Sequence, residues 1–323
     1  MFERLPEPPV TRVFQIGRSE LHEADALRWL PEQPDKSFHA VVTDPPYGML
    51  EYTPSEIKKL RMGRGGVWRI PPSLGGHKRA PVPRFTVLDD RDIDAMYDFF
   101  HQWGCALFPK MVPGAHVVVA TSPLFSHIVA AALSNSGFEK RGEIVRLTQT
   151  LRGGDRPKNA ETEFADVTVM PKSAWEPWVL VRRPLDGTVA TNLRKWKTGG
   201  LRRLPSGPFT DVILSSPTRA DEKRLAPHPS LKPQAFLRQI VRAVLPLGEG
   251  TVLDTFAGSG STLAACEAVG YDSIGVELDP EYVSLAIRAI PVLGHLQLPE
   301  SFSSSPRFRG KHPGRRTRSL REA

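Results

Sequence analysis

The chain of 323 residues is 40% hydrophobic and 24% charged, a globular balance that excludes a collagenous, disulfide-built or wholly disordered protein. Its two cysteines, Cys105 and Cys266, make no disulfide framework and no metal-ligand spacing, and no apolar run approaches the ~18 residues of a membrane span, so a soluble cytoplasmic protein without metal is expected. The formal charge of +8 is unevenly spread: residues 57–85 carry eight Lys/Arg and no acid, 140–210 fourteen against seven, and 304–323 seven against one. An acidic remainder of net −13 thus carries three basic stretches, the pattern of a localised polyanion-binding surface.

Near the start, Ala24, Asp25 and Ala26 lead from a strand end into a helical turn. Residues 38–43 (FHAVVT) form an apolar, β-branched run of buried-strand type. The run stops at Asp44-Pro45-Pro46-Tyr47, where two prolines cannot continue a ladder, so the chain leaves the sheet with Asp44 at a strand's carboxyl end. Residues 50–85, rich in Gly, Pro and Arg without periodicity, predict a long mobile loop. Helices are predicted over 93–107 and 124–133, with a buried strand at 116–120 between them. Residues 138–150 and 166–170 read as strands pairing at the sheet's edge, and 150–226 as a separate small module. The last third alternates helix 234–245, strand 251–254, helix 259–269, strand 273–277 and helix 280–290, which implies βαβ units on a mostly parallel sheet. The tail, 299–323, is cationic and poor in apolar residues, hence expected to be disordered.

Two distant segments carry chemistry. A strand runs through Asp254-Thr255-Phe256-Ala257-Gly258-Ser259-Gly260 into a helix; the glycines admit a ligand close to the backbone, and the helix start offers unpaired N–H donors. No Lys stands where a phosphate loop needs one, and Leu263 occupies the third glycine position of a dinucleotide fingerprint. A tight turn without ligand is the competing reading. Glu277, ending the next strand, is placed to accept both hydroxyls of a ribose, which points to a nucleoside-bearing cofactor; its competing use is to cap the helix that Asp279 begins. In the other segment, Asp44, the Pro45 carbonyl and the Tyr47 ring form a compact site for a planar group bearing an NH₂, two acceptors for its hydrogens and a face to stack on.

Together these two segments resemble the paired signatures of S-adenosylmethionine-dependent amino-methylating DNA methyltransferases, which act on adenine N6 or cytosine N4. The order of catalytic motif, recognition region and cofactor motif is similar to the β class of that family. His228-Pro229-Ser230-Leu231-Lys232-Pro233 resembles the motif that shapes the methionine pocket, and Asp25 matches an acid near the cofactor's adenine. Thr255 stands where the family usually has Pro, and Ser261 where it often has Thr.

The resemblance implies a Rossmann-like methyltransferase fold, a doubly wound, mostly parallel seven-stranded sheet in permuted motif order. Residues 1–149 would form its catalytic part, 150–226 an inserted target-recognition module, 227–298 its cofactor-binding part and 299–323 the tail. It implies that Asp44, Pro45, Pro46 and Tyr47 are catalytic. It assigns S-adenosylmethionine to Asp25, Ala26, His228, Ser230, Lys232, Pro233, Asp254, Phe256, Ala257, Gly258, Ser259, Gly260, Ser261, Glu277 and Leu278, and DNA to Arg152, Arg194, Lys195, Lys197, Arg202 and Arg203. The implied reaction is direct, in-line methyl transfer to a base flipped out of duplex DNA. Asp rather than Ser at the head of the tetrad favours adenine N6; cytosine N4 is the alternative, and an RNA or protein-amide methyltransferase a more distant one. A homodimer and a restriction-modification setting rest on the resemblance alone.

Overall fold

The apolar runs become the centre of one large mixed sheet. The computed structural model describes residues 12–45, 73–74, 77–78, 90–148, 157, 159–169, 171, 174–227 and 231–298. In chain order the strands are β1 (Arg12–Ile16), β2 (Ser19–Glu23), β3 (Phe38–Thr43), β4 (Ser73–Leu74), β5 (His77–Lys78), β6 (Met111–Ala120), β7 (Glu139–Leu147), β8 (Trp175–Arg182), β9 (Val212–Leu214), β10 (Thr251–Asp254) and β11 (Asp272–Glu277). The helices are α1 (Ala26–Glu32), α2 (Asp90–Leu107), α3 (Ser126–Asn135), α4 (Val189–Trp196), α5 (Ala220–Leu225), α6 (Gln234–Val244), α7 (Ser261–Val269) and α8 (Pro280–Gly294).

The main sheet runs β1-β2-β11-β10-β3-β6-β8-β7-β9, while β4 and β5 form a separate two-stranded pair. From β2 to β6 every pairing is parallel; β8 is antiparallel to both its neighbours, and β1 to β2. The expected seven strands are therefore corrected to nine, with β1 and β9 extending the edges. Residues 166–169 form no strand, and the antiparallel partner of β7 is β8, hidden in the sequence by Pro177 at a position where a ladder strand rarely tolerates it. Within 150–226, β8 lies inside the main sheet and β9 pairs with β7.

Helices cover both faces. Trp29, Phe100, Trp103 and Leu133 pack with Val41, Val117 and Leu253 on one, whereas Phe236, Ile240 and Val244 of α6 pack with Val42, Val118 and Trp178 on the other. Two adjacent parallel strands send the chain in opposite directions: β10 crosses through α7 to β11, and β3 crosses through α2 to β6. Such a switch point opens a crevice at the strands' carboxyl ends. Among the described residues no helix is long and apolar enough to cross a membrane.

Trp103 ties α2 to that crevice. Its ring is fully buried, and its indole N–H donates to Thr255 Oγ1 at 3.1 Å. Thr255 is itself 1% exposed, so here a hydroxyl with a dedicated donor stands in the place of the family's proline. Trp103→Phe strands that hydroxyl and is expected to lower stability by roughly 1–3 kcal/mol, with part of the loss removed when Thr255→Val is added. Urea unfolding of the two single variants and the double variant measures the coupling.

Candidate active site

Asp44 follows the last residue of β3, and Asp254 is the last residue of β10. Thr43 Oγ1 donates to Asp254 Oδ1 at 2.7 Å, so two segments 211 residues apart in the chain meet through side chains at the switch point. The Phe256 N–H donates to the same Oδ1 at 3.1 Å. Burial pushes the Asp254 carboxyl up to about 6 against the opposing effect of its hydrogen bonds from Thr43, Thr262 and Phe256, with the Asp44 charge adding to the rise.

The turn after β10 closes on the end of β11. Glu277 accepts the Gly258 N–H at 2.7 Å on one oxygen and the Asp279 N–H at 2.9 Å on the other, and burial raises its carboxyl despite these bonds. Asp279 caps α8 by accepting the Glu281 N–H, so capping does not need Glu277. Asp25 caps α1 by accepting from Leu27 and Arg28, and Ala24 N–H bonds the Glu277 carbonyl, which brings Asp25 and Ala26 to the same edge. Leu278 is 66% exposed there. The Phe256 ring lies 6.0 Å from those of Phe99 and Trp103, and Ala257 and Ser259 are buried. Gly260 has φ +78°, and a Cβ there would lie 2.5 Å from Ile290 of α8, so this glycine is demanded by helix packing whether or not a ligand binds.

The segment before α6 reaches the same crevice. Pro233 precedes the first turn, and the Gln234 side-chain amide donates to the Ser261 carbonyl at 2.9 Å while its buried Oε1 has no partner among the described residues. Lys232, assigned to the cofactor by resemblance, places Nζ 2.8 Å from Asp44 Oδ2 and 3.2 Å from Glu176 Oε1. Burial disfavours its charge, but the two carboxylates outweigh that and raise the ammonium above its ordinary range. Pro46, Tyr47, His228, Ser230 and Arg152 lie outside the described residues, as do most of 50–85 and the tail.

Among the described residues, the cations assigned to DNA are anchored away from the crevice. Asn192 of α4 donates to the Pro113 carbonyl near the amino end of β6, as does Thr198 Oγ1, which places Arg194, Lys195 and Lys197 roughly 20 Å along the sheet from the carboxyl edge. Lys195 is paired with Asp186, to which Trp196 also donates. Arg202 bonds the Tyr271 hydroxyl just before β11, and the Arg203 carbonyl accepts from Arg242 at the end of α6, again at the amino edge.

Sequence reasoning missed Thr43, Trp103, Glu176 and Arg146. Thr43 ends an apolar strand run and Glu176 opens another, so a polar residue at each strand terminus was the signal on offer; their partners are set only by the sheet order.

Residues 38–288 match the family described as DNA methylase, of the N6/N4 type, and the chain belongs to that family. Its relatives include the type II methyltransferase M.XycI of Xanthomonas campestris pv. cyanopsidis, 25% identical over 87% of this chain and 89% of the relative. Another is M.HindIII of Haemophilus influenzae, 23% identical over 84% and 95%. The fold is shared with the M1.HpyAVI–SAM complex, with a TM-score of 0.51 at 18% identity, covering 84% of this chain and 99% of that one. It is shared too with the cytosine-N4-specific PvuII DNA methyltransferase, with a TM-score of 0.55 at 15% identity over 88% and 89%.

The raised Asp254 carboxyl has a sign that can be checked. A folded-state value near 6, against ~4 unfolded, means the native state is penalised as pH rises from about 4 to 6 and carries the whole penalty above that. Asp254→Asn, which keeps an acceptor for Thr43 and Phe256, is expected to stabilise the cofactor-free protein by up to about 3 kcal/mol at pH 7, with the gain vanishing near pH 4. Denaturant midpoints of both proteins across that range measure it.

Proposed function

We propose that this DNA methylase transfers the methyl group of S-adenosylmethionine to the exocyclic N6 of adenine in duplex DNA. The observation that carries the reading is the seam between β3 and β10, where Asp44 and the turn from Asp254 to Gly260 stand at one crevice. The residues there suit a cationic nucleoside cofactor. Glu277 is oriented by two backbone N–H groups at the strand end where a ribose diol is received, Asp254 is a buried acid, and Gln234 Oε1 beside the turn is a buried acceptor with no partner among the described residues. When bound, the cofactor supplies an electrophilic methyl group on a sulfonium.

The chain's own residues act on the base. A base inside the stack cannot reach the crevice, so the target nucleotide is flipped out of the duplex. Asp44 and the Pro45 carbonyl accept the amine hydrogens, which fixes the nitrogen's direction of attack, and the carboxylate offsets positive charge developing on nitrogen. No covalent enzyme intermediate is needed. Asp rather than Ser heading the tetrad supports adenine, while the likeness to a cytosine-N4-specific enzyme makes the base the point to measure.

The carboxyl edge is also the side for DNA. The chain leaves it at Pro45 and re-enters at α2, and leaves again at Thr148 to re-enter at Ala174, so the long connections, including the basic stretch 57–85, are anchored there. Asp44→Ala is expected to abolish methyl transfer and spare cofactor binding, and mass spectrometry of digested DNA to show N6-methyladenine; N4-methylcytosine instead would transfer the assignment to cytosine. Neutralising Arg194, Lys195 and Lys197 should leave the salt dependence of DNA binding unchanged, whereas neutralising Arg61, Arg64 and Arg69 should flatten it by roughly one unit of slope for every phosphate that is no longer neutralised. Binding titrations at several salt concentrations separate the two faces.

A further inference from the structure

Asp44 stands at the end of a line of buried charges that the reaction as described leaves unused. Lys232 Nζ bonds Asp44 Oδ2 at 2.8 Å and reaches Glu176 Oε1 at 3.2 Å, and Arg146 Nη1 bonds Glu176 Oε2 at 2.8 Å. The side chains are 16%, 13%, 19% and 7% exposed from Asp44 to Arg146, so the signs alternate through a largely dehydrated space and sum to zero. Three strands and the start of α6 build this line. Asp44 follows β3, Glu176 is the second residue of β8, Arg146 is near the end of β7, and Lys232 lies two residues before α6. Arg146 is fixed further by donating from Nε to Ser215 Oγ and from Nη2 to the Ser216 carbonyl, with its guanidinium 5.3 Å over the Phe236 ring. Trp178 Nε1 donates to Glu176 Oε1 at 3.1 Å, so that oxygen is held from two sides.

Burying four charges is not explained by stability, because desolvation offsets most of what such pairs gain. It does bear on Asp44. A carboxylate that must hold an amine and face developing positive charge is weakened when an ammonium is committed to it alone. An ammonium shared with a second carboxylate orients the first while neutralising it less.

We propose that Glu176, anchored by Arg146, is a positioning residue for methyl transfer: by sharing the Lys232 ammonium it sets how tightly Lys232 grips Asp44 and so how much negative charge Asp44 presents to the target amine. This deepens the proposed function and rests on its assignment of Asp44 as the acceptor of the amine. The charged groups that bear on the ammonium are Asp44, just past β3, Glu176 of β8 and Arg146 of β7.

The test uses the full chain with turnover, its pH dependence and S-adenosylmethionine calorimetry as readouts. Glu176→Gln leaves the ammonium to Asp44 alone. It is expected to lower kcat roughly ten- to a hundredfold and to move the acid limb of the kcat profile to lower pH, with cofactor Kd changed by no more than about twofold. Lys232→Met leaves two carboxylates facing each other and is expected to move that limb to higher pH, while Lys232→Arg restores its position in part. Glu176→Gln combined with Arg146→Gln removes both signs at once, and is read in the same way if the single variant does not fold. A wild-type kcat and an unmoved acid limb in these variants, beside an inactive Asp44→Asn control, overturn the positioning role and leave the reaction standing. An Asp44→Asn protein with wild-type turnover overturns the reaction assignment itself. A loss of cofactor affinity that matches the loss of kcat in Glu176→Gln also overturns the proposal, since Glu176 then belongs to the cofactor site.

Discussion

The short bond from Thr43 to Asp254 marks the seam on which the rest of the structure depends. β3 and β10 are parallel neighbours whose crossovers lead away from each other, to β6 and to β11, which leaves a crevice at their carboxyl ends. The crevice left open is where a carboxylate from early in the chain meets a glycine turn from late in it. Trp103 and Glu277 then brace the turn from opposite sides, one through Thr255 and the other through the Gly258 N–H. Each brace uses a polar group that would be costly to bury without its partner.

Much of this is legible in the residues. Buried runs such as 38–43 and 251–254 identify the central strands, because a strand covered on both faces has no polar register to confuse it. Asp44 and Asp254 can be placed at strand ends because prolines and glycines stop a ladder. What is not legible depends on pairing across the sheet. Strand β8 carries Pro177 and two tryptophans, which disguise it, and with it Glu176, whose significance lies entirely in which strands flank it. The motif around Lys232 points to a ligand, and only the antiparallel entry of β8 reveals a second carboxylate within its reach.

Charge follows the same division. The sequence separates an acidic body from basic stretches without saying which side of the sheet each stretch occupies. Position along a strand decides that. Arg194 and Lys197 are anchored where β6 begins, whereas the connections that lead into α2 and β8 start where β3 and β7 end. A dense run of cations is therefore anchored at the other edge from the crevice, which a tally of Lys and Arg by segment does not distinguish.

The antiparallel setting of β8 has one more effect. Strands β7 and β8 are neighbours, and the Thr148 N–H bonds the Ala174 carbonyl at 3.0 Å, so everything between them is a closed excursion clasped at its base. Lengthening such an excursion costs little, about 0.6 kcal/mol of closure entropy for each doubling. The clasp holds Arg146 and Glu176 in register however the residues beyond it change. Insertion or exchange between Thr148 and Ala174 therefore leaves the pairing of Arg146 with Glu176 beneath it intact.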